Sequence, residues 1–337
     1  MTLSATLEHW PFQRPFRITG HVFDGIDLVV ATARAGGLCG RGEAAGVYYH
    51  GEIAAGMKDR IDALDADELD MDRERLLALM PAGGARNAVD CALWELESRR
   101  AAQPVWKLAG LQAVRPLPTT WTLGAEDAET MGRRAMQYVQ ARMFKLKLVG
   151  DGADAERVAA VRAARPDAWI GVDANQGFTR DSFHDLLPTL VDARVQLVEQ
   201  PFPTDKDHWL DGLASPIPLA ADESVQVRAD IEPLVGRVDM INIKLDKSGG
   251  LTESLAMVAL ARRLGLKVMV GNMIGTSLST APAFVLGQLC DLADLDGPLL
   301  LSRDRTPAVA YADGSISCSD DVWGRADTRV PELEASR

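Results

Sequence analysis

From residue 117 onward the chain repeats one device eight times: a short apolar run that closes on a charged, glycine or other polar residue. The runs cover residues 117–123, 143–149, 169–173, 195–199, 217–222, 239–244, 267–271 and 291–295, at a step of roughly 25 residues. Helical patterns fill gaps between them, at residues 155–164, 183–190 and 251–264. Short apolar runs bounded by turns read as strands buried on both faces. Strands alternating with helices at this pitch predict parallel, right-handed crossovers, and eight such units close into a (β/α)8 barrel, a TIM-like α/β fold. A doubly wound open sheet is the competing architecture. It gives no reason for nearly every strand to end in a reactive group.

The chain of 337 residues has room for a further unit in front of the barrel. Residues 25–35 read as a strand with Ile26, Leu28 and Val30 on one face, followed by a Gly36-Gly37 turn and a second strand toward Glu43. Three helical patterns follow. The clearest covers residues 85–100, where Val89, Leu93 and Leu96 recur at helical spacing behind Gly83-Gly84. Residues 1–112 are therefore expected to form an α+β capping domain, with Pro116 and Pro118 marking the boundary. The barrel is expected over residues 113–300. Residues 301–337 have few helix signals and a hairpin turn at Asp313-Gly314, and are expected to return to the capping domain in place of a full eighth helix.

The net charge of −12 argues against nucleic acid or an anionic membrane as a partner. No apolar run approaches the roughly 18 residues that span a bilayer, and the first residues lack a signal-peptide layout. The four cysteines, Cys39, Cys91, Cys290 and Cys318, form no CxxC pair, which suits a reducing cytoplasm and disfavours a zinc knuckle. Self-association as a homo-oligomer is left open.

Barrel chemistry sits at the C-terminal ends of the strands. In order, those ends carry Lys145 and Lys147, Asp173, Glu199, Asp222 and Lys244, and the eighth strand ends with Asp294 and Asp296. Period-two spacing puts Lys145 and Lys147 on one face, and Asp294 and Asp296 likewise. The third, fourth and fifth strands are neighbours, so Asp173, Glu199 and Asp222 converge. Three oxygen donors without His or Cys suit a hard ion such as Mg2+. The second and sixth strands stand opposite, so their lysines face each other across the mouth. Two opposed bases beside a divalent cation suit inversion of one carbon by 1,1-proton transfer through an enediolate. This chemistry needs one lysine tuned down to about 7–8 to act as a base.

On these residues the chain resembles the enolase superfamily, muconate-lactonising subgroup, and within it the dipeptide epimerases of the L-Ala-D/L-Glu epimerase type. The resemblance rests on Ala85-Arg-Asn-Ala-Val-Asp-Cys-Ala-Leu-Trp-Glu-Leu96, Lys145-Leu-Lys147, Val172-Asp-Ala-Asn175 and Val198-Glu-Gln-Pro201. It continues through Ala221-Asp-Glu-Ser224, Ile243-Lys-Leu-Asp-Lys-Ser-Gly-Gly-Leu-Thr252 and Ala293-Asp-Leu-Asp-Gly-Pro298. It implies an enolase-type modified (β/α)8 barrel and an isomerase that epimerises the C-terminal residue of a dipeptide. Lys147 and Lys244 would be the acid/base pair with Lys145 in support, and Asp173, Glu199 and Asp222 would hold Mg2+. Asp294 and Asp296 would bind the substrate ammonium, with Asn175, Glu223 and Asp246 in the surrounding shell.

One departure bears on substrate. Family members acting on Ala-Glu carry an arginine in the loop after the first strand. Here that stretch reads Thr19-Gly-His-Val-Phe-Asp-Gly25. His21, Phe23 and Asp24 are the expected substrate contacts, and an apolar or otherwise non-Ala-Glu side chain is expected. Alternatives on the same scaffold are N-acylamino-acid racemase, o-succinylbenzoate synthase, cycloisomerase and L-Ala-D/L-Glu epimerase itself. Two other readings are a Schiff-base aldolase and a catalytically silent binding barrel. Gly40-x-Gly42-x-x-x-Gly46 misses dinucleotide spacing. Trp94 reads as core, and Lys247-Ser-Gly-Gly250 as a loop and helix start.

Overall fold

The computed structural model describes residues 1–66, 70 and 72–325. The N-terminal unit is a three-stranded antiparallel sheet of β1 (Thr2–Ile18), β2 (His21–Ala35) and β3 (Leu38–Ala44), with helices α1 (Ala54–Asp62), α2 (Arg73–Leu79) and α3 (Gly84–Ala101) against it. Val29, Ala31, Ala33 and Ala44 from the sheet bury against Ala88, Val89, Ala92, Leu93 and Leu96 of α3. The small side chains let helix and sheet approach closely. Trp94 lies in the main core, its indole N–H donating to the Thr252 hydroxyl at 3.0 Å.

Sequence reasoning missed β1, a strand of 17 residues. Pro11 and Pro15 interrupt its pattern, and the pairing with β2 shifts register between Pro11 and Phe16. Proline is tolerated there because β1 is an edge strand, where a missing N–H breaks no ladder. The consequence reaches the expected substrate loop. Residues 21–25 are the start of β2, paired as Phe16–Phe23, Arg17–Val22 and Ile18–His21 around a tight turn at Gly20 (φ 73°). The stretch is a hairpin tip rather than a loop.

After the short helix α4 (Val105–Leu108), eight parallel strands follow: β5 (Trp121–Leu123), β6 (Met143–Lys147), β7 (Trp169–Asp173), β8 (Leu197–Glu199), β9 (Leu219–Ala221), β10 (Met240–Lys244), β11 (Lys267–Gly271) and β12 (Leu292–Asp294). They pair in sequence order. A parallel bridge from Thr119 to Ala293, with the Thr120 N–H on the Ala293 carbonyl at 3.1 Å, joins the first to the last. The expected barrel is therefore present. Its first strand is shorter than the apolar run, because Leu117 and Pro118 form β4 and leave the ring to pair with β14 (Ser315–Ser317).

Helices α5 (Ala128–Gln137), α6 (Asp154–Ala164), α7 (Arg180–Asp192), α9 (Leu251–Arg263) and α10 (Ser277–Gly287) pack outside the ring, and a single turn, α8 (Leu245–Ser248), precedes α9. Caps fix their starts. Asp127 accepts from the Thr130 N–H at 2.8 Å, and Thr179 and Ser182 form a capping box. No α-helix follows β8 or β9, only short 3-10 turns. Beyond residue 300, β13 (Ala310–Ala312) and β14 form a hairpin through Asp313 (φ 49°) and Gly314 (φ 76°), the two positive-φ residues of a primed turn. This stretch touches both units. Leu301 bridges Phe12, the Trp323 indole donates to the Arg41 carbonyl, and β14 pairs with β4. Residues 326–337 lie outside the described residues.

Candidate active site

The inward positions of the barrel are layered by the period-two rule. At the strand starts Trp169, Leu197, Ala220, Met240, Met269 and Leu292 fill the ring with apolar atoms. Two or four residues further, the same faces carry Asp173, Glu199, Asp222, Asn242, Lys244 and Asp294, all buried. Gly171 leaves room for the Trp169 ring, since a Cβ there would stand 2.5 Å from it. This apolar layer lies beneath the charged one, and the cavity above Lys147 and Lys244 is walled by the N-terminal unit.

Ligand-type oxygens of Asp173, Glu199 and Asp222 lie within 4.8 Å of one another. Four lysines surround them. Lys145 Nζ reaches Asp294 Oδ2 at 2.7 Å, Glu199 Oε2 at 2.8 Å and Asp173 Oδ2 at 3.2 Å, so one ammonium bridges acids of β7, β8 and β12. Lys147 Nζ donates to Asp173 Oδ2 at 2.6 Å and Asn175 Oδ1 at 3.0 Å. Lys244 Nζ donates to Asp222 Oδ2 at 2.6 Å. Lys247 holds the other oxygen of Asp222, at 2.5 Å.

Burial disfavours every charge here, and the pairing decides which groups keep theirs. For Lys145, burial lowers the pKa, but Asp294, Glu199 and Asp173 outweigh it and hold the ammonium well above the usual lysine range. Lys244 is raised in the same way, against its burial, chiefly by Asp222. The physical reason is the density of carboxylates beside it. Asp173 falls to about 2 and Asp222 is also depressed; in both, neighbouring lysines override burial. Glu199 rises to about 8 through burial and the nearby Asp173, despite Lys145.

The surrounding shell is built by unusual backbone. Asn175 (φ 43°) and Gln200 (φ 37°) sit in the left-handed region just past β7 and β8. Asn175 joins Lys147 to Glu223, donating to Glu223 Oε1 at 3.1 Å. The other oxygen, Glu223 Oε2, is buried without a partner, and burial together with Asp222 pushes this carboxyl up to about 7. Gln200 Oε1 accepts from the Asp222 and Ser224 N–H groups at 2.9 and 3.1 Å. Asn242 donates to Glu199 at 2.7 Å. Asp246 lies apart from the carboxylate cluster. Its Oδ1 accepts from the Ala45 and Gly46 N–H groups at 2.9 and 2.8 Å, and so holds the wall supplied by the N-terminal unit.

A cavity of about 90 Å3 lies between the two units. Its floor includes Lys147, Lys244, Asn175 and Glu223, and its roof is Phe12, Phe16, Ile18, Phe23, Ile26, Tyr48 and Tyr49. His21 stacks on Phe23 with centroids 5.7 Å apart and meets Tyr48 edge-on at 4.9 Å. Sequence reasoning missed Tyr48 and Tyr49, which are brought here only by the path of the chain after β3. Asp24 is exposed and does not line the cavity. On β2 it alternates with Phe23, so the strand turns it to the other face. Asp294 and Asp296 also lie outside the lining. Asp294 accepts from the Thr120 hydroxyl and Lys145, and Asp296 accepts from the Thr122 N–H at 2.5 Å.

A closed parallel barrel with acids and lysines at its strand ends, roofed by an α+β unit, defines an enzyme of the enolase type. Residues 1–110 match the mandelate racemase / muconate lactonizing enzyme N-terminal domain, and residues 128–322 match the enolase C-terminal domain-like family. The chain belongs to this family, within the enolase superfamily. It is 36% identical over 318 residues to the L-Ala-D/L-Glu epimerase of Escherichia coli (strain K12), covering 94% of this chain and 99% of that one. A solved enolase family member from Agrobacterium tumefaciens, with homology to dipeptide epimerases, carries bound sodium and L-Ala-L-Glu. It shares 39% identity at a TM-score of 0.92, covering 96% of this chain and 99% of that one. The dipeptide epimerase of Methylococcus capsulatus, complexed with Mg and L-Arg-D-Lys, shares 29% identity at a TM-score of 0.87, covering 94% and 96%.

Proposed function

We propose that the protein is a Mg2+-dependent dipeptide epimerase that inverts the α-carbon of the C-terminal residue, with preference for an apolar side chain there. It is an isomerase, as its relatives are. The observation that carries the reading is the cavity floor, where lysines from two strands four apart in the ring flank a triad of buried carboxylates.

The donor set fits a hard cation: three carboxylates, no softer ligand among them, and buried. Mg2+ held by Asp173, Glu199 and Asp222 would supply Lewis-acid stabilisation of the charge that develops on the substrate carboxylate. One of Lys147 and Lys244, in its neutral form, takes the α-proton from one face. The C–H bond breaks and its electron pair moves into the carboxylate, giving an enediolate. The ammonium of the other lysine returns a proton to the opposite face, and exchanging the roles runs the reaction backward. Lys145 remains charged between Glu199 and Asp294 and keeps those acids in place. Asp294 and Asp296, next to the first strand, are assigned the α-ammonium.

The side-chain preference rests on the roof. Phe12, Phe16, Phe23, Ile26 and Tyr48 offer no cation to an acidic side chain, and an unpaired buried carboxylate is costly. The absence of a membrane-spanning helix among the described residues and the free cysteines suit a cytoplasmic enzyme. The test is a panel of L-Ala-L-Xaa dipeptides incubated with Mg2+ in D2O and read by mass spectrometry. Apolar members should gain one deuterium at the C-terminal α-carbon. No exchange in any dipeptide by the folded protein rejects the epimerase. Fastest exchange with Ala-Glu rejects only the apolar preference.

A further inference from the structure

Asp222 is held from both sides. Lys244 takes its Oδ2 and Lys247 its Oδ1, and both are buried, yet only one of them meets the cavity. Lys244 lines the cavity, where it can turn toward a substrate. Lys247 does not line the cavity. Its side chain is 1% exposed and its ammonium faces three oxygens: Asp222 Oδ1 and the Asp222 carbonyl at 2.5 Å, and the Asn242 carbonyl at 3.0 Å. An ammonium has three protons, so all of them are committed within the protein.

The segment that carries Lys247 is itself clamped. α8 ends at Gly249 (φ 75°) and Gly250 (φ 121°), a path that L side chains rarely follow. A Cβ on Gly249 would stand 2.4 Å from Arg86 Nε, and one on Gly250 2.4 Å from Asp90 Oδ2. Both partners belong to α3 of the N-terminal unit. Arg86 donates to the Ser248 and Gly249 carbonyls at 2.6 and 3.1 Å, and Asp90 accepts from the Thr252 N–H and hydroxyl at 3.0 and 2.6 Å.

We propose that Lys247 is a positioning residue for the cation site. It fixes the Asp222 carboxylate by one oxygen and keeps the other directed into the carboxylate triad, from a turn anchored by α3. Of the two lysines on Asp222, Lys244 is displaced when a cation binds and Lys247 stays. This inference rests on the reading of Asp173, Glu199 and Asp222 as cation ligands. Groups that orient metal ligands from behind commonly cost 10- to 100-fold in affinity when removed.

The test is calorimetric titration of Mg2+ into the wild type, Lys247→Met and, as a control for disturbed packing, Ser254→Ala. Ser254, on α9, bonds the Ser248 hydroxyl at the end of α8 and so supports the same buried segment from a neighbouring helix. Thermal melting reports folding separately. Lys247→Met should raise the Mg2+ Kd by about 10- to 100-fold, while Ser254→Ala lowers the melting temperature and leaves the Kd within about threefold. A folded Lys247→Met that binds Mg2+ as tightly as the wild type overturns the proposal. A wild type that binds no Mg2+ instead overturns the cation reading beneath it. Should Lys247→Met not fold, a crystal structure of the Mg2+-loaded wild type decides. Lys247 still on Asp222 with Lys244 withdrawn supports the proposal, and Lys247 displaced from Asp222 overturns it.

Discussion

At Asp246, a buried carboxyl uses one oxygen for two backbone N–H groups, and burial raises it to about 6 from an ordinary 3.8. Because the folded-state value is raised, the folded protein binds this proton more tightly than the unfolded chain. The stabilisation is complete below pH 3.8 and is lost as pH rises through about 6. Asp246→Asn keeps a carbonyl oxygen for both N–H groups and removes the buried charge. It should gain up to about 3 kcal/mol at pH 8 and flatten the stability profile between pH 4 and 7, measured by urea denaturation. A loss of stability that grows from pH 4 to pH 7 would show that the carboxylate is needed in its charged form and overturn this expectation. The groups at strand ends were legible in the sequence, because a strand's period and its end dictate where Lys145, Lys147, Asp173, Glu199, Asp222 and Lys244 point. The contact of Lys247 with Asp222 was not, because it depends on a turn gripped by a helix more than 150 residues earlier in the chain. Asp24 is hidden for another reason: the stretch over residues 19–25 has the composition of a loop, and only its pairing with residues 16–18 makes it a strand that turns Asp24 outward.

Strand β3 and helix α3 show how one element fixes another. Gly40 and Gly42 lie under α3, where a Cβ would stand 2.1 Å from the Ala92 and Ala88 carbonyls respectively. The glycines that missed nucleotide-binding spacing are thus needed for close packing of helix on sheet. Gly42→Ala would push α3 off the sheet and, through Arg86, disturb the turn after β10. It should cost about 3 kcal/mol or more, read as a fall in the urea midpoint. A substitution absorbed within about 0.5 kcal/mol would mean that the helix can shift freely. The eight barrel strands were readable as elements because each is a continuous apolar run. The long β1 was not, since its prolines are acceptable only at an edge, and edge position is a property of the assembled sheet.

Across the whole molecule, the cavity exists only where two units meet, so what holds them together also shapes the site. The Thr19 hydroxyl at the hairpin tip lies within hydrogen-bond reach of the Leu148 and Ala174 carbonyls, beyond β6 and β7. Near the roof, Arg305 from the C-terminal segment pairs with Glu43 of β3 at 2.6 Å and Glu8 of β1 at 2.7 Å, and lies over the Trp10 ring. Glu43 in turn accepts from the Thr276 N–H at the start of α10, at 2.7 Å. One guanidinium therefore ties sheet, barrel and C-terminal segment together. Glu43 is 1% exposed, and burial raises its pKa against the pull of Arg305. Arg305→Met would leave that carboxyl buried with its Thr276 hydrogen bonds but without a counter-charge, a loss of about 3–5 kcal/mol when it is ionised. Since the folded-state value would rise further, the deficit should be small near pH 5 and grow toward pH 8. Glu43→Gln in the same background removes the stranded charge and should recover part of the loss at pH 8 but little at pH 5. If the single variant loses the same amount at both pH values, Arg305 acts through its packing on Trp10 rather than through the ion pair.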